Sequence, residues 1–207
     1  MTTMRTALER AFAGIMSTAT PGASGQSYSL AAAAGLARSP TTGSWDAARF
    51  LPDVLVQTHE GARVRFYEDL IRGRLALINF MFTTCTNQCP LATANLMKVQ
   101  DALGDRVGHD IVMVSVTVDS YTDTPAVLNR YSQRYGTRPG WYFVTGRQQD
   151  LDLIRRRLGV LDAAVDKTQH TGILIYGNEA TGQWAATPAQ ARPTTIVRSV
   201  MRLARSQ

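Results

Sequence analysis

The chain reads as a single α/β domain with a mostly parallel central sheet. Three observations predict it: two nearly unbroken apolar runs, Leu75–Phe82 and Ile111–Val118; amphipathic helical stripes after each; and a closing hairpin and helix. Length agrees, since 207 residues suit one domain with a leader or tail. With 44% hydrophobic residues the chain can bury a sizeable core.

Residues 1–49 differ from the rest. Thr, Ser, Ala and Gly dominate, and Pro21-Gly22 and Ser39-Pro40 punctuate the stretch. A basic start at Arg5 and Arg10, a short apolar middle from Ala11 to Ala19 and the small-residue run Ala31–Ala34 give the outline of a poor secretory signal. The segment is expected to be a leader or flexible linker, with the folded domain occupying residues 50–207. No apolar run reaches the roughly 20 residues that span a bilayer.

The elements follow in order. Val54-Leu55-Val56 and Val64-Arg65-Phe66 flank a turn at His59-Glu60-Gly61 and predict a hairpin. Leu75–Phe82 predicts a strand buried on both faces. Ala92, Leu96, Val99 and Leu103 then recur at helical spacing. Ile111–Val118 is the second buried strand. Thr124-Pro125 reads as an N-cap and first helical residue, with Leu128, Tyr131 and Tyr135 on the apolar face. Trp141–Val144 predicts a strand, and Asp150–Leu158 a helix with Leu151, Ile154 and Leu158 inward. His170–Tyr176 predicts a strand ending at Gly177-Asn178, with Trp184 on its hairpin partner. Ile196, Val200 and Leu203 mark the last helix.

Charge excludes little. The 22 basic and 16 acidic residues leave +6, but arginines are scattered and the densest run, Arg155-Arg156-Arg157, sits beside Asp150 and Asp152. It reads as a solvated helix face, and aromatics are not interleaved with bases as in single-strand binders. Nucleic acid is therefore not an expected partner.

The two cysteines carry the chemistry. They are too few for a disulfide framework or a four-thiolate metal site. Cys85 and Cys89 fall where a buried strand ends and a helix begins, with Pro90 in the first turn. Ligands bind at this edge of an α/β sheet, and the amides of a helix N-terminus favour thiolates. At Cys-x3-Cys spacing within a helical turn, both sulfurs would face one side. They could close a disulfide or clamp one metal ion, and soft thiolates favour Cu(I). A third ligand would come from a histidine. His59 lies in the predicted turn and His109 follows Gly108, both expected in surface loops. His170 opens an apolar strand.

Together these residues resemble the Sco/SenC family of copper-binding, thioredoxin-like proteins. The resemblance rests on Phe80–Pro90 (FMFTTCTNQCP), Val116-Thr117-Val118-Asp119, Asp123-Thr124-Pro125 and Gln169-His170-Thr171 before Tyr176. It implies a thioredoxin-like fold, a mixed central sheet flanked by helices with an added N-terminal hairpin. It also implies copper, Cu(I) or Cu(II), held by Cys85, Cys89 and His170. Family members deliver copper to the dinuclear copper centre of cytochrome c oxidase, or reduce its thiols, and face the periplasm or the intermembrane space. The copper-bearing oxidase subunit, or another copper or thiol protein, is thus the implied partner, and the periplasm the implied location. A thiol–disulfide oxidoreductase using Cys85 and Cys89 as a redox-active pair, or a redox or copper sensor, are alternatives. Thr86, Asn87 and Gln88 stand where the family often has Pro-Asp-Ile, and Gln169 replaces an acidic residue before the histidine.

Overall fold

The computed structural model describes residues 50–160 and 172–205. Seven strands form one sheet in the order β2-β1-β5-β4-β3-β6-β7. At its centre lie β3 (Leu75–Met81) and β4 (Ile111–Thr117), each buried at all seven positions. They run parallel in the register Leu75↔Ile111 to Met81↔Thr117. β5 (Trp141–Gly146) continues the parallel set beside β4. The remaining pairings are antiparallel: β1 (Leu55–Thr58) with β2 (Arg63–Arg65) and with β5, and β6 (Ile173–Asn178) with β3 and β7 (Gln183–Pro188).

The sheet is thus mixed, with a parallel centre, as expected of a thioredoxin-like chain. The hairpin attaches by its first strand to β5, extending the sheet at one edge. Its turn uses Gly61 at φ 88°, a left-handed geometry natural to glycine. Phe66, expected to end the second hairpin strand, instead starts a π-helical turn, Phe66–Ile71. That turn buries Phe66, Tyr67, Leu70 and Ile71. The Tyr67 hydroxyl donates to Glu179 Oε1 at 2.9 Å, and the Gly73 amide donates to Oε2 at 2.7 Å. The buried carboxylate ties the turn to the end of β6.

Among the described residues four α-helices flank the sheet: α1 (Gln88–Leu103), α2 (Pro125–Tyr135), α3 (Gln148–Arg157) and α4 (Pro193–Ala204). The α1 stripe of Ala92, Leu96, Val99 and Leu103 is buried, and α1 packs beside α4. Thr124 caps α2 by accepting from the Val127 amide, ahead of Pro125. Leu151, Ile154 and Leu158 are fully buried.

One expectation changes. Arg155 does not lie on a solvated face; it is 6% exposed and pairs with Asp152 at 3.0 Å, while Arg156 and Arg157 remain exposed. Asn79, the polar residue inside the strand expected to be buried on both faces, is buried with its neighbours. Its side-chain oxygen accepts from the Ser115 hydroxyl at 2.7 Å, and Ser115 accepts from the Trp141 indole at 2.8 Å. A chain of hydrogen bonds across β3, β4 and β5 removes the cost of burying those groups.

Candidate metal and thiol centre

β3 ends at Met81 and releases the chain into a short loop. A turn closes where the Cys85 amide donates to the Phe82 carbonyl at 3.2 Å. The Thr83 amide donates to the Asp123 carboxylate at 3.1 Å. The first helical residue of α1 is Gln88, so Cys89 lies in the first turn while Cys85 precedes the helix. Pro90 is the third helical residue, where a missing N–H costs no helical hydrogen bond.

This corrects the expectation of an i, i+4 pair on one helical turn. The loop, not helical periodicity, brings the sulfurs together. Cys85 Sγ sits over the helix start and accepts from the Cys89 amide at 3.4 Å. Both cysteines are thiols, Cys85 half-buried and Cys89 1% exposed. Burial pushes the Cys85 thiol up, but hydrogen bonds outweigh it. The Cys89 amide and side chain and the Asn87 and Gln88 amides hold its pKa below the usual thiol value. Cys85 is the accessible, activated sulfur and Cys89 the enclosed one.

Beneath Cys89, one helical turn on, Thr93 meets Tyr131 of α2, hydroxyl to hydroxyl at 2.9 Å. Burial raises the Tyr131 pKa well above the ordinary phenol value, and Cys89 is among the groups that add to the rise. Sequence reading placed Tyr131 only on an apolar face; nothing in the pattern pairs it with Thr93.

The far side of the rim comes from β6 and β7. The Ala189 amide donates to the Gly172 carbonyl at 2.7 Å, and Ile173 pairs with Pro188. Gly172 is thereby set against α1, so close that a Cβ there would lie 2.8 Å from Gln88 Oε1. Asn87, Gln88, Leu91, Gly172, Pro188 and Gln190 line an open depression of about 350 Å³. Asn95 fixes this rim by donating to the Ala189 and Ala191 carbonyls, each at 2.8 Å.

The structure therefore brings Cys85 and Cys89 together. His170 and Gln169 lie outside the described residues; among those described, no further His, Cys, Asp or Glu completes a group of three with the pair. His109 is exposed, as expected. His59 lies in the hairpin turn, as expected, but is half-buried rather than at the surface: its Nδ1 accepts from the Phe143 amide at 3.2 Å, and its ring meets Phe143 edge-on.

A strand-end loop with two thiols at a helix start, on a sheet of this order, can be compared with known proteins. The profile of the family described as SCO1/SenC matches residues 52–205. The chain belongs to the SCO1/SenC family. The SCO2-like protein of Rickettsia felis is 31% identical over 101 residues, which are 49% of this chain and 48% of that protein. The chain thus spans about half the length of the curated relatives it matches. Among solved structures, yeast Sco1 with copper bound superposes with a TM-score of 0.61 at 20% identity, covering 74% of this chain and 90% of that one. BsSco, a member of the Sco family of cytochrome c oxidase assembly proteins with a disulfide switch, gives 0.62 at 22%, covering 74% and 92%. These likenesses carry the thioredoxin-like Sco fold. Among the described residues, no helix is long and apolar enough to cross a membrane.

Proposed function

We propose that this SCO1/SenC protein is a copper metallochaperone. One copper ion is its cargo, held by Cys85, Cys89 and His170 and passed to the dinuclear copper centre of cytochrome c oxidase. The observation that carries the reading is the pair itself, with Cys85 Sγ over the Cys89 amide and its pKa lowered. A sulfur more readily deprotonated than an ordinary thiol, beside a second sulfur, suits Cu(I). Gly172, two residues after His170, lies against Gln88 at the rim, which favours His170 as the third donor. The copper-bound Sco structure supports copper as the metal. In this reading residues 1–49 are a leader or linker, residues 50–207 the copper domain, and the protein works in the periplasm.

The test is titration of the reduced full chain with Cu(I) against a competing chelator. One tight site per chain is expected, lost in Cys85→Ser and weakened in His170→Ala. Unchanged affinity in both variants would overturn the ligand set. Uptake should also fall as pH is lowered, because protons compete for the ligands.

A second use of the same pair is favoured by the lowered Cys85 pKa. As a thiolate, Cys85 attacks a partner disulfide, forming a mixed disulfide and expelling one partner thiolate. Cys89, deprotonated, then displaces the other partner sulfur. Two electrons pass to the partner and a Cys85–Cys89 disulfide remains. This reaction needs both cysteines but not His170, so His170→Ala keeps disulfide reduction where Cys89→Ser abolishes it.

A further inference from the structure

The Asp123 carboxylate is fully buried, at 0% exposure, and its side-chain partners among the described residues are neutral donors. It accepts from the Thr83 amide at 3.1 Å, from the Thr83 hydroxyl and from the Thr117 hydroxyl. Burying side-chain oxygens is costly unless each is hydrogen-bonded, and here donors reach both. Among the described residues its three hydrogen-bond partners, the Thr83 amide and the Thr83 and Thr117 hydroxyls, all donate to it.

The groups it joins are informative. Thr83 stands two residues before Cys85 in the strand-end loop. Thr117 ends β4, and its hydroxyl also accepts from the Asp119 amide at 3.0 Å. Asp123 closes the following turn, its amide donating to the Asp119 carbonyl at 2.9 Å. The carboxylate thus clamps the loop leaving β3 to the loop leaving β4, at the edge of the sheet where the thiols lie.

We infer that Asp123 is a positioning residue for Cys85: by holding Thr83 it keeps the sulfur within reach of the amides that open α1. The inference deepens the reading of Cys85 and Cys89 as the working pair and rests on it. Asp123 and Cys85 share no hydrogen bond; the clamp acts through Thr83.

The experiment measures the rate at which iodoacetamide modifies Cys85, by peptide mass spectrometry on the reduced full chain at pH 7, with thermal melting in parallel. Removing the clamp in Asp123→Ala should slow Cys85 about tenfold as the sulfur leaves its donors. Asp123→Asn keeps an acceptor for Thr83 and should stay within about threefold of the parent. Should Asp123→Ala fail to fold, Thr83→Val, which loses only the hydroxyl, should slow Cys85 about threefold. A lower melting temperature with an unchanged Cys85 rate would make Asp123 merely structural and overturn the proposal. A faster rate in Asp123→Ala would show a charge effect and overturn it too. Copper titration of the same proteins separates the two readings. A parent chain that binds no Cu(I) removes the metallochaperone and leaves the alkylation comparison standing.

Discussion

The Thr93 and Tyr131 hydroxyls meet at 2.9 Å one helical turn beyond Cys89, joining α1 to α2 directly beneath the enclosed sulfur. Both are buried, and Tyr135 is a second neighbour of the Tyr131 hydroxyl. Tyr131→Phe and Thr93→Val should each cost about 1 kcal/mol, and the double variant less than the sum, with a coupling of about 0.5–1.5 kcal/mol. Urea unfolding of the four proteins checks this. Additive costs would mean the hydroxyls do not support one another.

His59 makes stability depend on pH. Burial, the largest effect, holds its pKa below 6.5, against the opposing pull of Glu60. The unfolded chain then binds the proton more readily than the folded one, so unfolding free energy rises with pH below about 6.5 and levels off above it. Protonation at Nδ1 would also forfeit the hydrogen bond from the Phe143 amide. His59→Asn, which keeps an acceptor there but cannot titrate, should flatten the slope between pH 5 and 7 in denaturant unfolding. An identical slope would remove His59 as its source.

Gly172 sets the width of the rim. A methyl group there would lie 2.8 Å from Gln88 Oε1, but that atom ends a flexible side chain. Gly172→Ala should therefore fold, at a cost below about 1 kcal/mol, and Gly172→Ala with Gln88→Ala should recover most of it. A loss that persists in the double variant would locate the strain elsewhere.

Much of the fold is legible in the sequence because burial on both faces leaves a plain mark. Leu75–Met81 and Ile111–Thr117 read as continuous apolar runs and form the central strands. The Thr124-Pro125 cap and the α1 stripe follow local rules and appear as expected. The cysteine pair is legible as a pair, but not its geometry. α1 starts after Cys85, beyond a loop whose Thr83 amide donates to Asp123, forty residues past Thr83. Arg155 and His59 escape for a similar reason: one is buried and the other half-buried against partners that tertiary structure supplies, Asp152 and Phe143. Polar residue type predicts exposure on average, and these are places where a specific acceptor or donor overrides the average.

The position of β3 has a dynamic consequence. It is paired on both edges, with β4 and β6, and buried throughout. The amide protons of such a strand exchange with solvent only through large-scale opening of the domain. The thiols sit just past its end, in a loop and a first helical turn, where the ends of elements open at lower free energy than a central strand. Stabilising β3 and its neighbours would therefore slow amide exchange in the sheet far more than at the loop that carries Cys85.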